Sequence, residues 1–359
     1  MLFCDAETVY WGESMAFLLG KGTAVEWLRR RAVSSVEEQF VLPLLSLEGS
    51  RTRLQRHPSL LGSLTLPLHL IVATRENRRP SAHAICHLLV SPTDNYICLH
   101  VERGVFCSTP AFTFLQMASE LDQEALLFLG MELCGRYGID SDGRIFLRPQ
   151  TCTPAHLLSL AREMVHVRGR RQALQVAPLV IGNSASPMES ALTLILSQPL
   201  EHGGFGLPAP ELNRPLPVTG MARNLWDDDF IAPDLLWEEG KVVIEYDSDL
   251  HHSSGHQRAL DATRRDVLAQ LGYRAVSVTA EHMRTPRRLK QVAGIIASEL
   301  GIVLPEASDE ERQRQVDYQL RVRTLAEHPE RLLAFGESNP SSKHNWHSRL
   351  VGQSVVSSH

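Results

Sequence analysis

No run of about 20 apolar residues, the length a membrane helix needs, occurs in this chain. No Cys-x-x-Cys pair is found among its six cysteines, Cys4, Cys86, Cys98, Cys107, Cys134 and Cys152. The first absence argues against a membrane-spanning protein and the second against a zinc ribbon, while six scattered thiols in 359 residues do not make a disulfide scaffold. A basic excess is missing too. With 36 Lys and Arg against 41 Asp and Glu the formal charge is −5, so no overall field draws the protein to nucleic acid, and such contacts must come from local patches. The segment Met1 to Ser14 carries acids where a secretory signal carries positive charge. Reduced thiols and a cytoplasmic location are therefore expected.

What is present is ordinary globular usage, 43% hydrophobic and 21% charged, which excludes a wholly disordered or collagen-like chain. The length exceeds one typical core of ~100–150 residues, so two domains with tails are expected. In the first half, Glu13 to Leu47 reads as mostly helical, with Arg29, Arg30 and Arg31 on a solvated face. Three β-prone runs follow, Leu66–Val72, Ala84–Val90 and Tyr96–Val101. Ser108-Thr109-Pro110 then opens a helix expected to continue from Phe112 to Tyr137. His83, Cys86, His87, Cys98 and His100 fit a half-buried sheet better than a zinc module.

These features predict an α+β domain over 1–150, a helical, arginine-rich linker over 151–180, a second domain over 181–303, a charged helix over 304–335 and a disordered tail over 336–359. The run Cys107–Ala118 resembles the C-terminal region of AbiEi-type abortive-infection antitoxins, where a small sheet precedes a helix of this kind. That resemblance implies a homodimer or a partner protein bound through the N-terminal domain.

The second domain carries the chemistry. Ser186-Pro187-Met188-Glu189 reads as a capping-box helix start. Ile231–Trp237 and Lys241–Asp247 read as two strands joined by the turn Glu238-Glu239-Gly240. A helix over Gln257–Leu271 and a strand over Tyr273–Val278 then suggest a right-handed crossover and a mixed sheet. Alternation puts Glu245 and Asp247 on one face of their strand. A two-residue turn at Glu239-Gly240 sets Asp234 opposite Glu245, with Cβ atoms ~5 Å apart, whereas a three-residue turn slips the register and turns one side chain away. Three converging carboxylates repel unless a cation or protons intervene, and oxygen-only ligands favour Mg2+ or Mn2+.

Pro233-Asp234, Glu245-Tyr246-Asp247, His251-His252, Arg264-Arg265-Asp266 and Gly272–Val276 together resemble the PD-(D/E)XK restriction-endonuclease-like superfamily, in the branch related to the very-short-patch repair endonuclease. The resemblance implies an α/β fold in which a C-terminal restriction-endonuclease-like mixed sheet is flanked by helices and preceded by the smaller α+β domain. It also implies a metal-dependent endonuclease hydrolysing phosphodiester bonds in DNA. Asp234 and Glu245 would bind the metal with the backbone carbonyl of Tyr246, and Glu189 stands where an acid on the opening helix sometimes completes the shell. Asp247 occupies the position of the superfamily lysine, and Ser248 that of a glycine. With the lysine missing, His252 or His251 would act as base, and Lys241, Arg264 and Arg265 would contact phosphate. The missing lysine and the acidic net charge equally suit a non-catalytic nucleic-acid-binding or antitoxin-like regulatory protein on the same fold.

Overall fold

A computed structural model describes residues 3–5, 17–31, 39–43, 47, 49, 55–88, 95–247 and 255–334. It is a mixed α/β structure with two principal mixed sheets. The strands of the N-terminal sheet are β1 (Phe3–Asp5), β2 (Phe17–Leu19), β3 (Gln39–Pro43), β4 (Leu68–Val72), β5 (Ala84–Leu88), β6 (Asn95–Glu102) and β7 (Val105–Ser108), in the spatial order β1-β3-β6-β7-β2-β4-β5. The expected strands are found at β4, β5 and β6; the final Leu89-Val90 of the second lies outside the described residues.

Among the described residues between 13 and 47, helix is confined to Lys21–Arg30, with strands at Phe17–Leu19 and Gln39–Pro43. Phe17, Leu18 and Leu19 are all buried as a strand, followed by helix α1 (Lys21–Arg30). Gly20 makes that turn possible, because a Cβ there would lie 2.5 Å from Ile71 Cδ1 and 2.7 Å from Gln116 Oε1. Of the arginine triplet expected on a solvated face, Arg30 is exposed but Arg29 is not. Arg29 is buried, and its Nε and Nη2 donate to both carboxylate oxygens of Glu132 at 2.6 and 2.7 Å.

After α2 (Pro58–Ser63), the helix expected over 112–137 divides into α3 (Pro110–Met117) and α4 (Gln123–Leu133). Thr109 caps the first, with Pro110 at its first turn. The division has a local cause: Asp122 Oδ1 accepts the N–H of Ala125 at 3.0 Å, a new N-cap inside the apolar run. Tyr137 belongs to strand β8 (Tyr137–Ile139), paired with β9 (Ile145–Leu147). Residues 151–180, expected as a linker, hold α5 (Pro154–Glu163) and α6 (Arg170–Val176); Leu157 and Ala161 are fully buried, and α5 packs on α3.

The second sheet lies beyond helix α7 (Pro187–Ser197). Its strands are β10 (Glu211–Leu212), β13 (Leu235–Trp237), β14 (Val242–Asp247) and β15 (Arg274–Thr279), in that order; β11 (Leu216–Pro217) and β12 (Phe230–Ile231) form a separate pair. β13 and β14 are antiparallel, β14 and β15 parallel, with α8 (Gly255–Gln270) between the parallel strands in sequence. Alternate residues serve two cores. Leu235, Trp237, Val242 and Ile244 join the large cluster that includes α7, whereas Leu236 and Val243 join a smaller one with Val267 and Leu268 of α8.

Helices α9 (Ala280–Arg284), α10 (Pro286–Glu299), α11 (Asp309–Glu327) and α12 (Arg331–Ala334) complete the described chain. The charged helix expected over 304–335 buries one face, Tyr318, Val322 and Leu325, against α7 and others. A single buried cluster thus runs from Phe17 to Leu332, joining the two halves. Residues 336–359, the expected tail, lie outside the described residues. No described helix is long and apolar enough to cross a membrane.

Candidate functional site

The hairpin of β13 and β14 sets the site. Leu235 pairs with Ile244, Leu236 with Val243 and Trp237 with Val242, the register of a two-residue Glu239-Gly240 turn, and one step further it sets Asp234 opposite Glu245. The Lys241 N–H donates to the Glu238 carbonyl at 3.2 Å, and it is Lys241, not Gly240, that takes the left-handed conformation, φ +47°. The strand expected over Ile231–Trp237 is interrupted at Ala232-Pro233-Asp234, where proline offers no N–H to a ladder. Asp234 is bound into the sheet by other means. Its carbonyl accepts the Asn213 N–H at 3.1 Å, and its carboxylate Oδ2 accepts the Tyr246 N–H at 2.6 Å.

Glu245 lies on the α8 side of β14, two residues from Val243. Its Oε1 accepts the Nε of Arg264 at 3.0 Å, and an Nη2 of the same guanidinium donates to the carbonyl of Ala232. Arg264 therefore ties α8 both to the glutamate and to the strand break beside Asp234. Burial pushes the Glu245 carboxyl up to about 7, and the neighbouring Asp234 charge adds to this; Arg264 opposes it and Glu189 contributes. Burial likewise raises the Asp234 carboxyl, against the Tyr246 N–H and Arg264.

Glu189 is the third acid. Ser186 caps α7 as expected, accepting the Glu189 N–H at 3.1 Å. The Glu189 side chain reaches one residue further back than in a capping box: Oε2 accepts the N–H of Ala185 at 2.8 Å and the Nδ2 of Asn213 at 2.8 Å. Burial and the Asp234 charge raise its carboxyl to about 7. One side chain thus both braces the helix start and feels the Asp234 charge.

Each of the three acids uses one oxygen in these bonds, and Glu189 Oε1, Asp234 Oδ1 and Glu245 Oε2 take no part in them. The donor set is all oxygen and its charge is opposed locally by Arg264, a chemistry that suits a hard divalent ion. As the side chains stand, no group of three or more His, Cys, Asp or Glu among the described residues is gathered tightly enough to hold a metal ion.

The chain matches no family model, no curated protein and no solved structure.

The other expected residues fall in different places. Asp247 ends β14 opposite Thr279, and the charges acting on Glu245 come from Asp234, Arg264 and Glu189. Tyr246 lies between the two acids with its ring half-buried on the opposite face. Lys241 is at the turn end of the strand, paired with Glu238 and seated 4.8 Å over the Tyr273 ring, four residues or ~13 Å from Glu245 along the strand. Arg265 is exposed, donating to the Asp261 carbonyl at 3.3 Å. His251, His252 and Ser248 lie outside the described residues. Sequence reasoning missed Asn183 and Asn213. Both have left-handed backbones, φ +78° and +49°, and asparagine's tolerance of that region is the one signal that could have marked them.

Proposed function

We propose that this protein is a metal-dependent endonuclease of restriction-endonuclease-like fold, hydrolysing phosphodiester bonds in DNA. The reading rests on one observation: three carboxylates from β14, the segment before β13 and the start of α7 are buried near one another, burial raises all three, and the Asp234 charge adds to the rise at Glu189 and Glu245. Such an arrangement is costly unless it serves to receive a cation.

Asp234, Glu245 and Glu189 would hold Mg2+ or Mn2+, with the Tyr246 carbonyl as a further oxygen. When bound, such an ion lowers the pKa of a coordinated water and stabilises charge on the leaving oxygen. The protein's own part is positional. Tyr246 N–H fixes Asp234, Asn213 and Ala185 fix Glu189, and Arg264 stands at the edge of the cluster where a phosphate would draw it from Glu245. Arg265 adds an exposed cation on the same helix. His252 is the proposed base.

The same Arg264–Glu245 contact supports a second reading, a non-catalytic nucleic-acid-binding or regulatory protein in which the guanidinium permanently fills the cation's place. A plasmid-nicking assay with Mg2+ or Mn2+, run beside Asp234→Ala and Glu245→Ala, separates the two. Cleavage lost in both variants supports the nuclease; DNA binding without cleavage, unchanged in both, supports the second reading and overturns the first.

A further inference from the structure

Asn213 is 8% exposed, adopts φ +49°, and makes three hydrogen bonds that meet at the candidate site. Its backbone N–H donates to the Asp234 carbonyl at 3.1 Å. Its Nδ2 donates to Glu189 Oε2 at 2.8 Å and to the Asn183 carbonyl at 3.1 Å. Asn183, also left-handed, returns its own Nδ2 to the carbonyl of Leu212, the residue before Asn213, and its N–H donates to the carbonyl of Cys134 at the end of α4. The two asparagines form a reciprocal brace.

Fold stability alone accounts poorly for this arrangement. Two residues are held in the left-handed region, Asn183 before α7 and Asn213 after β10, a backbone conformation that carries some cost even for asparagine, the non-glycine type that tolerates it best. What the brace accomplishes is specific: one residue grips the backbone of Asp234 and the carboxylate of Glu189 together. Because both protons of a side-chain amide can be donated, Nδ2 serves Glu189 and Asn183 at once, and the Glu189 carboxylate is held by Oε2 with Oε1 left over.

We propose that Asn213 is a positioning residue that fixes the separation and orientation of Glu189 relative to Asp234 for a divalent cation. The inference rests on the metal-site reading above and deepens it: Asn213 touches neither ion nor substrate and acts through Glu189. Supporting groups of this kind typically cost 10–100-fold in metal affinity when removed.

The test measures Mn2+ affinity of the full chain by titration calorimetry, with thermal midpoints in EDTA alongside. Asn213→Gly removes the amide, keeps the N–H to Asp234 and suits the positive φ. It is expected to bind Mn2+ about 10–100-fold more weakly than wild type with little change in the EDTA midpoint. Glu189→Gln should lose at least as much, and Asn213→Gly/Glu189→Gln no more than Glu189→Gln alone, because one residue works through the other. Equal affinity in Asn213→Gly and wild type, or losses that simply add, would overturn the inference while leaving the metal site standing. No saturable Mn2+ binding in wild type, or binding indifferent to Asp234→Ala and Glu245→Ala, would sink the metal-site reading and this one with it. Should Asn213→Gly not fold, the side-chain NH2 signals of Asn213 in the wild type decide. They should move on Mg2+ addition with the midpoint of binding and stay fixed in Glu189→Gln; signals that ignore Mg2+ overturn the inference.

Discussion

Asp234 faces Glu245 across the β13–β14 hairpin, and its carboxylate takes the backbone N–H of the next residue, Tyr246, at 2.6 Å. The aspartate is thus fixed to the strand that carries the second acid, so the two charges cannot drift apart to relieve their repulsion. A pair held this way is costly unless a cation or protons neutralise it.

Asp234→Asn tests that balance, because the amide oxygen can still accept the Tyr246 N–H while the charge is gone. In EDTA the variant should melt at or above the wild-type temperature, since a buried, repelled carboxylate has been removed. In Mg2+ the order should reverse: saturating ion at ~100 times Kd stabilises wild type by about 2.7 kcal/mol, a gain the variant forgoes. Melting curves with and without Mg2+ measure both effects, and an equal Mg2+ response in the two proteins would contradict the assignment.

Arg264 distinguishes the two functional readings. In a nuclease its guanidinium would leave Glu245 for a phosphate, so Arg264→Gln should reduce nicking about 100–1,000-fold while Mn2+ affinity holds or rises. In a scaffold the guanidinium is Glu245's permanent partner, and the same substitution would chiefly lower the melting temperature and weaken DNA binding. Nicking rate, Mn2+ affinity and midpoint measured on one preparation of Arg264→Gln give the answer.

The hairpin, its register and the Asp234–Glu245 opposition were legible because period-two alternation and turn length fix which side chains share a face. The third acid, Glu189, was legible only through the family resemblance and not through alternation. Asp247 shares a strand face with Glu245, a local relation, whereas Glu189 arrives from a helix start 56 positions earlier along the chain than Glu245, through bonds to Asn213 and Ala185 that no periodicity encodes. Arg264 was read as a phosphate contact on a polar helix, and its bonds to Glu245 and Ala232 depend on how α8 settles on β14. In the N-terminal half the single long helix failed at Asp122, whose cap competes with helix continuation in an otherwise apolar run. Arg29 misled for a related reason: a triplet of arginines looks solvated until a buried carboxylate from α4 is placed beside one of them.

That ion pair predicts a large and asymmetric stability effect. Arg29 and Glu132 side chains are 8% and 3% exposed and bonded through two N–H···O contacts. Glu132→Gln leaves the guanidinium buried without its countercharge and should cost about 3–5 kcal/mol in urea unfolding. Replacing both partners, Arg29→Met with Glu132→Leu, should cost clearly less than the single change, because no charge is left unpaired. A double variant that is weaker than Glu132→Gln would show that the pair itself, and not its desolvation, supplies the stability.

His87 supplies the pH dependence. Its Nε2 meets His69 Nδ1 at 3.0 Å, so one ring donates and the other accepts. Burial, with Lys21 and His69 adding positive charge, drives its pKa down to about 3. The folded chain then holds this imidazole neutral where the unfolded chain protonates it, below about pH 6.5. Fewer protons bound in the native state mean that stability falls as pH drops from about 6.5 toward 3, by at most about 1.4 kcal/mol per pH unit from this residue. His87→Gln can still bond to His69 and does not titrate. Urea midpoints at pH 7.5, 6.5, 5.5 and 4.5 should therefore converge or cross, wild type losing ground to the variant at each step below pH 6.5. Carboxylates elsewhere affect both proteins alike and cancel in the difference, so parallel curves would mean that His87 titrates in the fold much as it does in the unfolded chain.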